Sequence, residues 1–153
     1  MTEPAKLAPD FTLPRDGGAL VSLSALRPQK VVLYFYPKDD TPGCTTEAID
    51  FTRLAGDFAA ADTVVMGISK DSVSAHEKFC QKHGLGIALL SDTDGAVCEA
   101  YGVWVEKSMY GRKYLGIERA TFLIDGEGRI ARHWPKVKVA GHAAEVLAAA
   151  RSL

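Results

Sequence analysis

Residues 30–50 read KVVLYFYPKDDTPGCTTEAID. The first part, Lys30 to Pro37, is rich in β-branched and aromatic residues, the content and length of a buried strand. Polar residues then break the run into a turn. Thr41 suits a helix N-cap, and Pro42 suits the first helical position, where a backbone N–H is not needed. Cys44 therefore falls in the first turn of a helix. Phe51, Leu54, Ala55 and Phe58 recur at i, i+3, i+4 and i+7, a stripe for packing that helix on a sheet.

The alternation continues on both sides of this stretch. Thr63 to Ser69 (TVVMGIS) reads as a second buried strand. Ser72 to Gly84 reads as a second helix, with capping-box spacing from Ser74 to Glu77 and Gly84 as its C-cap. IALLSD is a short strand, and Asp94 to Gly102 a short helix. Arg119 to Trp134 reads as a hairpin turning around Asp125-Gly126-Glu127-Gly128. AGHAAEVLAAARSL makes a C-terminal helix. Val105 to Glu118 is polar and without period, and reads as a loop. APDFTLPRDGGALVSLSAL adds a short N-terminal hairpin. Strands and helices in this order specify an α/β sandwich with a mixed sheet flanked by helices, one domain over residues 1–153.

The totals exclude several classes. Lys and Arg number 18 and Asp and Glu 19, so no basic excess points to nucleic acid or an anionic membrane surface. The opening MTEPAKLAPD lacks the apolar core of a signal peptide, and the longest apolar run, Val31 to Tyr36, is too short to span a bilayer. The expectation is a cytoplasmic protein. Three cysteines there are not a secreted disulfide framework. His76, His83, His133 and His142 are scattered without metal-ligand spacing and read as surface or packing residues, so neither a metal nor a cofactor is expected.

Cys44 is the residue with chemistry in it. The nucleophile is the thiolate, and an ordinary cysteine is only about 3% ionised at pH 7. Unpaired N–H groups and a partial positive charge at a helix start favour the anion. Gly43 leaves room for close approach to the backbone amides. A thioredoxin-type dithiol would need a cysteine where Thr41 stands, and a phosphatase-type loop would need an arginine where Asp50 stands.

YFYPKDDTPGCTTEA, followed by ERATFLIDGEGRI, closely resembles the peroxiredoxins, most of all their Q type, the bacterioferritin comigratory proteins. The likeness runs from LAPDFTL through the C-terminal helix. It implies a thioredoxin-like fold and a thiol peroxidase acting on hydrogen peroxide and organic hydroperoxides. By the same resemblance Cys44 is the peroxidatic nucleophile, Thr41 holds the peroxide oxygens and Pro37 shields the thiolate from water. Arg119 supplies a guanidinium beside Cys44. With the backbone N–H groups of Gly43 and Cys44, it would stabilise charge moving from sulfur to the departing oxygen. Glu47, one turn beyond Cys44, either orients Arg119 or is a carboxylate favoured by the helix dipole.

Many Q-type proteins carry a second cysteine five residues after the first; here that residue is Ile49. Others place it in the following helix, where this chain has Cys80. The resemblance therefore implies a Cys44–Cys80 disulfide, formed with local unfolding and reduced by thioredoxin or a similar dithiol. Cys98, one turn from Tyr101, reads as a packing residue. A one-cysteine enzyme reset by an external thiol, a resolving role for Cys98 and a non-catalytic holdase remain as alternatives. No cysteine follows Cys98, so the expectation is a monomer.

Overall fold

The computed structural model describes residues 6–153. Residues 1–5, part of the stretch read as lacking a signal-peptide core, lie outside them. Strands β1 (Thr12–Pro14) and β2 (Leu20–Ser22) form the expected N-terminal hairpin, Thr12 pairing with Ser22. A 3-10 turn, Leu23–Leu26, leads to β3 (Lys30–Phe35). Then come α1 (Pro42–Arg53), α2 (Ala55–Ala60), β4 (Thr63–Ser69), α3 (Val73–His83), β5 (Ala88–Ser91) and α4 (Ala96–Ala100). The chain ends with β6 (Trp104–Met109), β7 (Arg112–Ile117), β8 (Ala120–Ile124), β9 (Ile130–Trp134) and α5 (His142–Arg151).

The central sheet has the order β5-β4-β3-β8-β9. β3, β4 and β5 run parallel, whereas β8 is antiparallel to β3 and β9 to β8. With helices on its faces this is the thioredoxin-like arrangement. β3 lies in the middle and is covered on both sides, which is why residues 31–36 are apolar without alternation. Its side chains still alternate in direction. Val31, Leu33 and Phe35 pack with Met66, Ile68, Tyr101, Phe122 and Cys98. Val32, Tyr34 and Tyr36 pack with Cys44, Phe51, Phe58, Phe79 and Val146. Phe51 stacks on Tyr34 with ring centroids 4.7 Å apart and so sets the seat of α1 on β3.

Four expectations need correction. Val105 to Glu118 is not a loop: β6 and β7 pair there as an antiparallel hairpin from Trp104↔Ile117 to Met109↔Arg112. The two-residue turn, Tyr110-Gly111, has φ of 52° and 77°, the positive pair that a tight hairpin turn requires. The apolar stripe from Phe51 to Phe58 belongs to two helices, because Leu54 (φ −96°, ψ 1°) interrupts the first. The cap of α3 is Ser72, not Ser74, its hydroxyl accepting from the Ala75 N–H at 3.1 Å. His76 and His142 are buried hydrogen-bonded residues rather than surface or simple packing ones. Gly84 caps α3 in the left-handed region as expected (φ 60°). Among the described residues no helix is long and apolar enough to cross a membrane.

Candidate active site

The site forms where β3 ends. Phe35 pairs with Ala120, so Arg119, just before β8, arrives beside the turn that leads from β3 into α1. Residues 75 apart in sequence meet there. Arg119 Nη2 donates to Cys44 Sγ at 3.4 Å, and Arg119 Nη1 donates to Glu47 Oε1 at 2.7 Å. One guanidinium thus serves the sulfur and the carboxylate through different nitrogens, a task suited to its rigid planar fork. Gly43 is part of this fit. A Cβ there would lie 3.2 Å from Arg119 Nη2, so the absence of a side chain lets the guanidinium reach the sulfur. Cys44 itself is only 1% exposed.

Burial pushes Glu47 up to about 7, and the charge and hydrogen bond of Arg119 oppose it. Burial likewise works against the charge on Arg119, but Glu47 and Cys44 outweigh it and hold that group above its ordinary value. Glu47 and Arg119 thus form a largely buried hydrogen-bonded pair beside Cys44. Its second oxygen, Oε2, is buried and finds no hydrogen-bond partner among the described residues; the hydroxyl of Tyr34 is in the same condition. Burial, followed by the nearby Glu47 and Cys44 charges, raises the Tyr34 hydroxyl well above its usual range.

Thr41 is at the N-cap position with extended backbone (φ −91°, ψ 154°), but its hydroxyl does not cap the helix. Thr41 Oγ1 donates back to the Lys38 carbonyl at 2.8 Å. With its proton used there, the oxygen turns lone pairs outward, so this side chain is an acceptor. Pro37 is exposed in the bend between β3 and α1. Lys107 on β6 is a cation that sequence reasoning missed, because its segment read as a loop. Burial lowers its pKa first and Arg119 next, and the charges of Glu118 and then Cys44 oppose them.

All three cysteines are free thiols. Cys80, on α3 beside Phe79, packs against the cluster that contains Cys44. Burial, then the charges of Asp16 and Asp39, pushes its thiol up to about 12. Cys98 belongs to the opposite face of the sheet. Its backbone N–H donates to Asp92 Oδ2 at 2.8 Å, and burial together with Asp92 raises its thiol strongly.

A second group of polar residues adjoins the site. Tyr36 donates to Asp39 Oδ1 at 2.6 Å, and His76 Nδ1 lies 2.6 Å from Asp39 Oδ2. His76 Nε2 faces the Leu90 carbonyl at 2.9 Å. Asp71 accepts from the Asp39 N–H at 2.8 Å and from Ser69 Oγ at 2.7 Å. One potential metal-ligand atom from each of Asp39, Asp71 and His76 lies within 4.8 Å of the others, yet these side chains are engaged in the bonds just described. The available sequence signal was the position of His76, three residues before Phe79 on the inner face of α3.

Residues 4–133 match the model of the AhpC/TSA family. The chain belongs to that family. Among its members, a protein of Coxiella burnetii named putative peroxiredoxin bcp is 59% identical over 145 residues, covering 95% of this chain and 96% of that one. Peroxiredoxin Bcp of Bacillus subtilis is 51% identical over 140 residues, 92% of this chain and 89% of the relative. A structure of Xanthomonas campestris peroxiredoxin Q superposes with a TM-score of 0.89 at 49% identity, covering 93% of this chain and 90% of that one. Related structures of the X. campestris protein concern its alkyl peroxide reduction activity through trapped intermediate and ligand complexes. Others carry serine at one or the other of two cysteines whose sequence separation equals that of Cys44 and Cys80.

Proposed function

We propose that this chain is a thiol peroxidase in which Cys44 attacks hydrogen peroxide or an organic hydroperoxide, and that the resulting sulfenic acid is resolved by Cys80. The observation that carries the reading is the Arg119 guanidinium, 3.4 Å from Cys44 Sγ and anchored by Glu47. In the first step the thiolate sulfur bonds to one peroxide oxygen, the O–O bond breaks, and the departing oxygen leaves as water or alcohol after taking a proton. Negative charge moves from sulfur to oxygen, and Arg119 with the first-turn N–H groups faces both ends of that movement. Thr41 Oγ1 accepts from the peroxide O–H and so orients it. Pro37 walls the thiolate off from water.

In the second step the Cys80 sulfur displaces the sulfenic oxygen of Cys44; an S–S bond forms and water leaves. The Cys-to-Ser structures of the X. campestris relative support Cys80 as the partner. A thiol held up at about 12 is a poor nucleophile, so Cys80 reacts after leaving its seat in α3. Thioredoxin or a similar dithiol then reduces the disulfide. The reaction requires no cofactor. The working form is a cytoplasmic monomer whose described residues, 6–153, form one domain. A thioredoxin-coupled peroxidase assay on Cys44→Ser, Cys80→Ser and Cys98→Ser tests this. Cys44→Ser abolishes activity, Cys80→Ser consumes one peroxide per protein at stoichiometric peroxide and does not turn over, and Cys98→Ser turns over normally. A Cys80→Ser protein with normal coupled turnover overturns the resolving step.

A further inference from the structure

The Asp39–His76 network lies outside the reacting atoms, yet it ties together the two segments that carry Cys44 and Cys80. Asp39 and Asp40 precede Thr41 in the turn that positions Cys44, and His76, Lys82 and His83 are all on α3. Asp39 bonds His76 at 2.6 Å, while Asp40 bonds Lys82 Nζ at 2.7 Å and His83 Nε2 at 2.9 Å. These ties bracket Cys80, one turn after His76 and just before Lys82.

The two parts of this arrangement differ in strength. Asp40 and Lys82 are exposed, where such pairs contribute little. His76 is fully buried and Asp39 nearly so. The Leu90 carbonyl can only accept, so His76 Nε2 carries a hydrogen. The short Nδ1–Oδ2 contact then holds a second proton between ring and carboxylate. A charge-assisted bond of this kind, shielded from water, is the strongest link between the Cys44 turn and α3.

We propose that Asp39–His76, supported by Asp40–Lys82/His83, is a clasp that sets how long the Cys44 sulfenic acid persists before Cys80 reaches it. This rests on the reading of Cys80 as the resolving cysteine. While the clasp is closed, α3 stays folded and Cys80 remains buried. Opening it frees α3, removes Cys80 from its burial and from Asp16, and lets the S–S bond form as the sulfenic oxygen leaves as water. While Cys44 remains a sulfenic acid, a second peroxide can transfer an oxygen to it, giving sulfinic acid plus water or alcohol. The clasp therefore governs the partition between disulfide and sulfinic acid. Asp39, Asp40 and His76 are positioning residues for the resolving step.

Rapid mixing with hydrogen peroxide, followed by thiol alkylation and mass spectrometry, counts sulfenic, disulfide and sulfinic forms against time. His76→Gln keeps a donor for Leu90 and loses the bond to Asp39. Disulfide formation should accelerate roughly tenfold and the sulfinic fraction at high peroxide should fall. Asp39→Asn, whose amide can donate to a neutral His76, keeps a weaker neutral bond and should accelerate disulfide formation less than His76→Gln. Asp40→Asn leaves the buried pair intact and removes the negative charge behind both exposed ties, so acceleration should be about twofold. It also decides the matter if His76→Gln does not fold. Sulfenic acid formation should stay near the parent rate in all three. If Cys80→Ser still forms an intramolecular disulfide, the resolving assignment fails and the clasp with it. If Cys80→Ser abolishes the disulfide while neither His76→Gln nor Asp40→Asn outpaces the parent, the clasp alone is overturned.

Discussion

Replacing Arg119 by alanine tests the electrostatic core of the site. Two bonds disappear together, the one to Cys44 Sγ at 3.4 Å and the one to Glu47 Oε1 at 2.7 Å. The bond to sulfur is the one that acts on the reacting charge. Hydrogen bonds to charged groups contribute about 1.5–3 kcal/mol, which corresponds to a loss of roughly 10- to 150-fold in the second-order rate with peroxide. The effect on Glu47 is separable. Without its guanidinium the buried carboxyl keeps its proton, so the fold is spared a stranded buried charge. Stopped-flow single turnovers of pre-reduced protein with hydrogen peroxide measure the rate, and thermal melting reports the fold. Arg119→Lys is the stricter variant. A lysine preserves the charge, but one ammonium cannot reproduce the two-armed fork, so it should recover only part of the loss. An Arg119→Ala protein that melts like the parent and reacts within about threefold of its rate would refute the role given to Arg119.

Glu47→Gln should alter how stability depends on pH. The folded-state value, about 7, lies above the ordinary 4.5. The folded form thus holds the proton more tightly, a contribution complete below about 4.5 and lost as pH rises through about 7. Parent minus Glu47→Gln stability from urea titrations should decline over that interval, by a margin of order 3 kcal/mol, and a flat difference would contradict it. Gly43→Ala puts a Cβ 3.2 Å from Arg119 Nη2 and should push the guanidinium off the sulfur. Peroxide reactivity should fall severalfold in stopped-flow runs while melting temperature holds or rises, since alanine favours the helix by up to about 1 kcal/mol. Gly67→Ala meets Tyr34 Cζ at 2.7 Å and Leu89 Cδ2 at 2.9 Å, both in fully buried side chains. Overpacking there should cost about 1–3 kcal/mol in denaturant unfolding.

Local signals carried the parts of the fold that depend on neighbours in sequence. β3 was legible because a central strand buried on both faces must be apolar throughout. The start of α1 was legible because Thr41, Pro42 and the Phe51 stripe agree with one another. The β6–β7 hairpin was not, since its strands are mostly exposed and its turn has Tyr110 where asparagine or aspartate is the usual marker. The break at Leu54 left no mark because the stripe continues across it. In the site, Cys44 stood out by its place at a helix start and Arg119 through the family resemblance, while Glu47 was left between two roles and what Thr41 does with its proton could not be read from residue type. The Asp39–His76 pair was illegible for a different reason. A buried hydrogen bond between residues 37 apart is set by how α3 lies on the sheet, and no local periodicity records that.

The central sheet also separates the thiols. Cys44 and Cys80 lie over one face, Cys98 under the other, with β3 and β4 between them. Three sulfurs allow three pairings, and two of them would have to pass through a hydrogen-bonded wall whose dismantling is equivalent to unfolding the chain. Among the pairings within one chain, only Cys44–Cys80 leaves the sheet in place. On the proposed route α3 loosens on a side of the sheet that holds no third thiol, so no wrong crosslink within the chain is within its reach. The sheet that supports the active site is at the same time its insulation.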